Sequence, residues 1–292
     1  MEDQWTVLKI LQWTTRYFKD RGLKQPRADA EVLLAYALNV ERIQLYLNYD
    51  KPLSTDELAR FRGIIRRRAA FEPTQYITGK QEFWSLEFRV SPAVLIPRPE
   101  TEVLVEKALE IIGERHSRVL DLGTGSGAIA VALACERAAI RVVATDRSWA
   151  AVETARLNAV RNGVADRVCF VVTDLFEAIA PLPLFDVIVS NPPYVSDTEI
   201  LDLAPEIANY EPRFALRGGG RQGLAIILKI LERFRACLKP QGSFLMEIGQ
   251  GQAEILEKEC SAVLTSGYEF IEDYSGIKRV LHIRNTREAV HG

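Results

Sequence analysis

The sequence predicts an open, doubly wound and mostly parallel α/β sheet that follows a small helical domain. From Arg118 onward, short apolar segments alternate with amphipathic helical segments, which is typical of a parallel sheet covered by helices on both faces. After Gly267, two strand patterns joined by a turn at Ser275 and Gly276 predict an antiparallel edge. Before residue 80 the apolar residues recur at helical spacing, which indicates a bundle of helices.

The composition is that of a globular protein with a sizeable core, since 48% of its 292 residues are hydrophobic and 26% are charged. The net charge of −2 argues against broad nucleic-acid binding, which depends on neutralising phosphates. No apolar run approaches the ~20 residues of a membrane span, and the acidic N-terminus lacks the layout of a signal peptide. The four cysteines are widely spaced, which indicates reduced thiols and predicts no metal site. We therefore expect a cytoplasmic protein, and nothing in the sequence requires more than a monomer.

The helical domain is predicted over residues 1–80. The segment "PRADAEVLLAYAL" begins with a proline suited to a first helical turn and carries a buried apolar face that includes Leu33 and Leu34. Ser54 and Glu57 have the spacing of a capping box. In the first helix, the residues that recur at helical spacing and predict its apolar face are Trp5, Leu8, Leu11, Thr15 and Phe18.

A β-hairpin is predicted over residues 81–97, between the helical domain and a sheet domain over residues 98–292. In "WSLEFRV", the apolar Trp84, Leu86 and Phe88 alternate with polar residues, which predicts a half-buried strand. The proline-marked segment "SPAVLIPRPETE" then leads into the first helix of the sheet domain.

Polar or glycine-rich segments end four successive predicted strands. The first strand ends in "DLGTGSG", residues 121–127, and the next three end at Asp146, Asp174 and Asn191. Ligands of doubly wound sheets bind beyond the carboxyl ends of the strands. We therefore expect these segments to line one nucleotide-like site.

The glycine loop permits close approach of a ligand to the backbone at the start of a helix. Asp146 follows the loop by about 20 residues, the spacing at which a carboxylate accepts both hydroxyls of a ribose. Its competing interpretation is a helix N-cap, but Ser148 is available for that role. Asp174 and Leu175 are expected either beside an adenine or in a loop cap. The loop alone fits both a nicotinamide dinucleotide and S-adenosylmethionine.

The segment Asn191-Pro192-Pro193-Tyr194 favours S-adenosylmethionine. A hydride-transfer site needs a proton donor or acceptor near the substrate, and none of the three histidines lies at a strand end of this edge. The prolines have no N–H and present carbonyl oxygens on a restricted backbone, Asn191 adds an acceptor, and Tyr194 adds an aromatic face. Two fixed acceptors beside an aromatic plane suit a planar –NH₂ group whose nitrogen attacks a methyl sulfonium. A double-proline turn with an Asn cap is the competing interpretation.

These motifs carry a family resemblance. The glycine loop, the strand-end Asp146 and "NPPY" resemble the Rossmann-like class I S-adenosylmethionine-dependent methyltransferases. The segments "IIRRRAAFEPTQYITGKQEFW", "LIPRPETE" and "YEPRFALRGGG" are similar to those of the HemK/PrmC-type peptide chain release factor glutamine N(5)-methyltransferases. The resemblance covers nearly the whole chain, and it implies a seven-stranded sheet.

The resemblance also implies a reaction and its participants. The methyl donor is S-adenosylmethionine, the product is S-adenosylhomocysteine, and the substrate is the glutamine amide of the Gly-Gly-Gln motif in bacterial class I release factors. The segment 98–101 is expected over the active site, and the helical domain is expected to help dock the release factor. The implied cofactor-binding residues are Gly123, Thr124, Gly125, Ser126, Gly127, Asp146, Asp174, Leu175 and Asn191. The implied substrate-binding residues are Asn191, Pro192, Pro193 and Tyr194, of which Asn191, Pro192 and Tyr194 are expected to be catalytic.

Two positions depart from the family pattern. Many relatives have a tryptophan where this chain has Leu175, which leaves the packing beside adenine open. Gln222 stands where an acidic residue is usual after the later glycines.

The main alternative is an adenine N6-methyltransferase acting on DNA or RNA, because adenine also presents an –NH₂ group beside an aromatic plane. Such an enzyme must hold a flipped base or a single strand and neutralise phosphates. The dense basic run at Arg62, Arg66, Arg67 and Arg68 is the candidate surface, and in isolation it is best interpreted as a solvated helix face. No second basic segment accompanies it, so no stable nucleic-acid binding is expected. A protein that only binds cofactor or a partner is a third alternative, and it would not need the acceptor set at 191–194.

Overall fold

The computed structural model describes residues 4–259 and 267–286, which form two compact units. One unit comprises the chain up to Lys80 together with Ala204–Tyr210. The other comprises Gln81–Leu203 and the chain from Glu211 onward. No helix in the described part of the chain is long and apolar enough to cross a membrane.

The first unit is helical and encloses its own core, which includes Leu33, Leu34 and Phe61. The predicted capping box is confirmed, because the Glu57 N–H donates to Ser54 Oγ (3.2 Å) and the Ser54 N–H donates to Glu57 Oε2 (2.7 Å). Its helices are α1 (Val7–Asp20), α2 (Pro26–Leu38), α3 (Arg42–Leu47), α4 (Thr55–Ala69), α5 (Thr74–Thr78) and α9 (Pro205–Tyr210).

The buried face of α1 differs in part from the predicted one. Leu11 and Phe18 are buried as expected, but Trp5 precedes the helix and is 40% exposed. Leu8 and Thr15 are only half-buried. The buried face is completed instead by Val7, Ile10 and Thr14. The helix begins only after Thr6, whose hydroxyl caps it, so the helical period does not extend back to Trp5.

The basic run on α4 is partly neutralised within the helical unit. Arg68 is only 5% exposed and pairs with Asp29 (Nε–Oδ2 2.9 Å) and Glu206 (Nη2–Oε2 2.8 Å). Arg67 pairs with Glu72. Arg68 is therefore a structural cation that holds α9 and α2, and its interpretation as part of a solvated face is wrong.

The second unit contains a seven-stranded sheet in the order β5-β4-β3-β6-β7-β9-β8. The first five strands in this order are parallel, and β9 and β8 continue the sheet antiparallel, as predicted. The sheet strands are β3 (Ser117–Leu122), β4 (Ile140–Asp146), β5 (Val168–Val172), β6 (Phe185–Ser190), β7 (Leu238–Glu247), β8 (Tyr268–Glu272) and β9 (Lys278–Arg284).

Helices cover both faces of the sheet, with a core on each side. Side chains alternate along a strand, so Val119 enters one core while its neighbours on β3, Leu120 and Leu122, enter the other. The helices are α6 (Glu102–Ile112), α7 (Ala128–Glu136), α8 (Trp149–Arg161), α10 (Arg213–Leu216), α11 (Ala225–Cys237) and α12 (Gln252–Glu259). The predicted continuation of α12 toward Gly267, with Cys260, lies outside the described residues.

The predicted hairpin is present but shorter than expected, with strands β1 (Lys80–Phe83) and β2 (Leu86–Arg89). Trp84, predicted to lie in a strand, instead forms the turn with Ser85, and both have positive φ angles of 53° and 56°. This backbone matches the right-handed twist of a tight hairpin. The Glu102 carboxylate stabilises the turn by accepting from the Trp84 N–H (2.8 Å).

The strand order creates a switch point beside β3. The chain moves outward from β3 through β4 to β5 and then returns to β6 on the other side of β3. Ligands of doubly wound sheets bind at such a point because the connections leave in opposite directions and open a crevice.

Candidate active site

A cavity of about 790 Å³ lies at the carboxyl ends of these strands, within the sheet unit. Its volume falls in the range of small-molecule sites. The sequence-predicted residues on its wall are Gly123, Thr124, Gly125, Ser126, Asp146, Asp174, Leu175, Asn191 and Pro193. Gly127, Pro192 and Tyr194 are not among the lining residues. The structure therefore brings the four strand ends to one cavity, and three of the predicted site residues are not among those that line it.

The glycine loop combines ligand space with tight helix packing. Gly123 and Gly125 have φ angles of +74° and +57°, and a Cβ at either position would meet no atom within 4 Å. Gly127 differs, because its Cβ would lie 2.9 Å from Ala155 Cβ. Gly123 and Gly125 thus leave room at the cavity wall, whereas Gly127 lets α7 pack against α8.

Asp146 is buried and held by two backbone donors. Its Oδ2 accepts from the Gly125 N–H (3.0 Å) and its Oδ1 accepts from the Ser148 N–H (2.8 Å). Burial raises the pKa of this carboxyl, and the two N–H donors oppose that shift. Ser148 caps α8 through Ala151, as predicted, so Asp146 is not needed as the helix cap. Each carboxylate oxygen keeps a second lone pair for a ligand hydroxyl.

Asp121 stabilises the glycine loop through a hydrogen bond to Thr124. It is fully buried at the end of β3, and its Oδ2 accepts from the Thr124 hydroxyl (2.6 Å). Burial raises the pKa of Asp121 to about 7, and the nearby Asp146 charge adds to the shift. The short bond to Thr124 ties the glycine loop to the strand that precedes it.

Asn158 on α8 is a site-supporting residue that sequence reasoning missed. It is fully buried, and its Nδ2 donates to the carbonyl of Ser126 (2.8 Å) and that of Arg89 (3.0 Å). Its Oδ1 accepts from the Arg89 N–H (2.7 Å). One amide thereby joins the hairpin to the glycine loop. An asparagine on the buried face of an amphipathic helix was the available signal.

We expect Asn158→Leu to lower the free energy of unfolding by about 3 kcal/mol, because three backbone groups lose their partner. The affinity for adenosine ligands should fall as well, since the glycine loop loses its anchor. Urea denaturation and calorimetric titration measure the two effects. Asn162→Leu is the matched control, because Asn162 bonds the carbonyls of Glu87 and Asn158 but not the loop. Equal losses of affinity in the two variants would contradict the assigned role of Asn158.

Asn191 directly follows β6 and is tied to the segment 98–101. Its Nδ2 donates to Thr101 Oγ1 (3.0 Å), and the Thr101 hydroxyl donates to Glu247 Oε2 (2.6 Å). The Tyr194 hydroxyl donates to Glu247 Oε1 (3.3 Å). Among the described residues, neither Asn191 Oδ1 nor the Pro192 carbonyl accepts a hydrogen bond. The two acceptors that the sequence singled out are therefore not used by the fold.

The ring of Tyr194 packs against the core beside α11 and α12, which explains its absence from the cavity wall. Burial raises the pKa of its hydroxyl, and the neighbouring Glu247 reinforces the shift. Tyr194 therefore stays neutral and serves as a donor to Glu247.

The glycine-rich segment 218–223 packs against the NPPY backbone. A Cβ on Gly218 would lie 2.7 Å from the Pro193 carbonyl, and one on Gly223 would lie 1.9 Å from that of Tyr194. Gln252, which is 5% exposed, donates to the carbonyls of Tyr194 (3.0 Å) and Gln222 (2.8 Å). These glycines are required because only they permit this approach, and Gln222 contributes through its backbone.

Arg98 lines the cavity and pairs with Glu211, a carboxylate that is 2% exposed. Glu211 also accepts from the Ile96 N–H (3.4 Å). The pair holds the proline-marked segment at the cavity wall, where the sequence predicted it.

The family model described as the PrmC N-terminal domain matches residues 9–79, and the methyltransferase small domain matches residues 99–227. A release factor glutamine methyltransferase of Geobacter sulfurreducens is 43% identical over 277 residues, covering 95% of this chain and 96% of that protein. The chain belongs to the release factor glutamine methyltransferase family.

Another member of the release factor glutamine methyltransferase family, from Koribacter versatilis, is 44% identical and covers 94% of this chain and 97% of its own length. Among solved structures, the hMettl16 catalytic domain in complex with the MAT2A 3′UTR hairpin 6 superposes with a TM-score of 0.57. The two sequences are 16% identical, and the match covers 76% of this chain and 82% of the hMettl16 chain, so the likeness shows the fold. The family assignment and the fold predicted from the sequence are confirmed.

Proposed function

We propose that this methyltransferase transfers a methyl group from S-adenosylmethionine to the side-chain amide nitrogen of the glutamine in the Gly-Gly-Gln motif of bacterial class I release factors. The observation that carries the proposal is the placement of Asn191. It lies on the wall of the same cavity as Gly125 and Asp146, with its amide nitrogen bound to Thr101. The identity of 43% to a release factor glutamine methyltransferase over nearly the whole chain supports the substrate.

The cavity residues fit S-adenosylmethionine. Gly123 and Gly125 leave the space that a ligand beside the loop requires, and Asp146 offers two fixed acceptors to a ribose. Asp174 and Leu175 lie on the wall where an adenine edge is expected. When bound, the cofactor supplies an electrophilic methyl group on a sulfonium. Gly127 contributes through helix packing rather than contact.

The chain's own residues orient the nucleophile. The nitrogen of a primary amide is a weak nucleophile, because its lone pair is delocalised into the carbonyl. Asn191 Oδ1 and the Pro192 carbonyl would accept from its two N–H groups, which would orient the nitrogen and favour positive charge on it. The nitrogen gains the methyl group as the methyl–sulfur bond breaks, and it then releases one proton to solvent. Tyr194 supports this arrangement through its hydrogen bond to Glu247.

The domain roles complete the proposal. Residues 1–80 help dock the release factor, 81–97 link the two domains, and 98–292 carry out methyl transfer. The enzyme acts as a monomer in the cytoplasm without stable nucleic-acid binding. The pairing of Arg67 and Arg68 with Glu72, Asp29 and Glu206 supports the last point, because it partly neutralises the basic run.

A labelling experiment tests this function. The protein is incubated with methyl-labelled S-adenosylmethionine and one of three acceptors: a bacterial release factor, the same factor with its motif glutamine changed to alanine, or duplex and single-stranded DNA. We expect label on the first acceptor alone. Label on DNA alone would identify an adenine methyltransferase, and label on the alanine variant would show that another residue is modified.

A further inference from the structure

A buried carboxylate lies behind the NPPY segment. Glu247 ends β7, is 1% exposed, and bonds both Thr101 and Tyr194. Thr101 is 4% exposed and stands between Glu247 and Asn191. Neither Thr101 nor Glu247 was among the site residues predicted from the sequence.

The chemistry of the three groups sets the direction of every hydrogen bond. An ionised carboxylate only accepts, so the Thr101 hydroxyl must donate its single proton to Glu247. The Thr101 oxygen is then left as an acceptor toward Asn191. Only the –NH₂ end of the Asn191 amide can satisfy it, so the carbonyl end must point the other way. The hydrogen-bond network therefore fixes the orientation of the Asn191 amide, with Nδ2 toward Thr101.

We propose that Thr101 and Glu247 are positioning residues that fix the Asn191 amide with its carbonyl oxygen toward the methyl-accepting nitrogen. The inference rests on the proposed amide methylation and specifies how the acceptor is oriented. A flipped Asn191 would present two N–H groups to the N–H groups of the substrate, and the substrate amide could not be held. In this role Thr101 and Glu247 act through Asn191, and Thr101 also lines the cavity beside it.

Ionised Glu247 is the form that enforces this direction. Burial raises its pKa to about 7, while Thr101 and Arg279 lower it and the Glu100 charge raises it slightly. Arg279, on β9, is itself paired with Asp273, and the neutral Tyr194 hydroxyl completes the groups that face Glu247. A protonated Glu247 can donate to Thr101 and release the Asn191 amide. We therefore expect kcat to fall as the pH drops below about 7.

The matched pair Thr101→Val and Thr101→Ser tests the link. Valine keeps the shape and removes the hydroxyl, so we expect kcat to fall about 30-fold while the KM for release factor rises less than threefold. Serine restores the hydroxyl and should keep kcat within about threefold of wild type. Calorimetric titration should show an unchanged affinity for S-adenosylmethionine in both variants. Near-normal kcat in Thr101→Val would overturn the proposal, and so would a serine variant as slow as the valine variant.

Glu247→Gln supplies the independent readouts. This variant should lower kcat about tenfold at pH 8 and should remove the decline in kcat below pH 7. Asp121 also has a pKa of about 7 and is unchanged in the variant, so loss of the decline excludes Asp121 as its source. The raised pKa means that the folded state binds a proton more tightly than the unfolded state does. Wild-type stability should therefore decrease from about pH 4.5 to 7, and Glu247→Gln should flatten this slope.

The outcomes separate this inference from the proposed function. If wild-type enzyme labels no release factor, the proposed function fails, whereas the stability slope of Glu247→Gln still reports on the buried network. If release factor is labelled and Glu247→Gln keeps the wild-type decline in kcat below pH 7, the proposed function stands and the positioning role of Glu247 is refuted. The double variant Thr101→Val with Glu247→Gln should be no slower than Thr101→Val alone, because both act through one link.

Discussion

We expect Asn191→Ala to lower kcat for release factor methylation by about 1,000-fold, whereas the affinity for S-adenosylmethionine should change less than about threefold. The variant loses the bond from Asn191 Nδ2 to Thr101 Oγ1, whereas the removed Oδ1 has no hydrogen-bond partner among the described residues. It is the proposed acceptor for an N–H of the reacting amide. Single-turnover rates and calorimetric titration measure the two quantities separately.

Two further variants sharpen this experiment. Asn191→Asp keeps an acceptor but loses the –NH₂ that Thr101 Oγ1 accepts from. We expect it to be impaired about 100-fold, since its carboxylate opposes the Thr101 oxygen and the nearby Glu247. Asn162→Ala, at the C-terminal end of α8 and without a bond to the loop, is the control and should keep near-normal turnover. An Asn191→Ala variant with turnover close to wild type would refute the amide clamp.

The second large effect is expected for Asp146→Ala, which should weaken binding of S-adenosylmethionine about 100-fold. Each of the two hydrogen bonds from ribose hydroxyls to a charged acceptor contributes about 1.5–3 kcal/mol. The loss of one bond alone therefore weakens binding about tenfold or more. The variant also frees the N–H groups of Gly125 and Ser148, which further loosens the loop. Equilibrium binding of S-adenosylmethionine and of its product measures the loss.

Ser148→Ala is the matched control for the structural part of that effect. It removes the cap of α8 and should cost about 1 kcal/mol of stability, but Ser148 is not on the cavity wall. Its cofactor affinity should stay within about threefold of wild type. If Ser148→Ala weakens binding as much as Asp146→Ala, ribose recognition is not the role of Asp146.

Much of the site could be predicted because its elements are local in sequence. A window of about ten residues is enough to predict each of three strands, which end in "DLGTGSG", at Asp146 and at Asn191. Parallel strands carry their carboxyl ends to one edge, so the common cavity followed from the alternation of strands and helices. The family resemblance supplied the seven-stranded sheet and the substrate, which no local pattern contains.

Local patterns were misleading where a turn or a buried charge interrupted them. Trp84 continued an alternating apolar pattern, yet it occupies a turn whose positive φ is stabilised by Glu102, a residue 18 positions away. Arg68 stood in a run of arginines, yet Asp29 and Glu206 draw it into the interior. In both cases the deciding partner is remote in sequence.

The sequence by itself determined the order of strands and helices, the glycine loop and the acceptor pair at Asn191 and Pro192. Only the tertiary structure decided how Asn191 is held, because Thr101 lies 90 residues before it and Glu247 lies 146 residues beyond Thr101. Hydrogen bonds of this kind have no sequence periodicity. They form when β6, β7 and the segment before α6 meet at one edge of the sheet, and that meeting is a property of the folded chain.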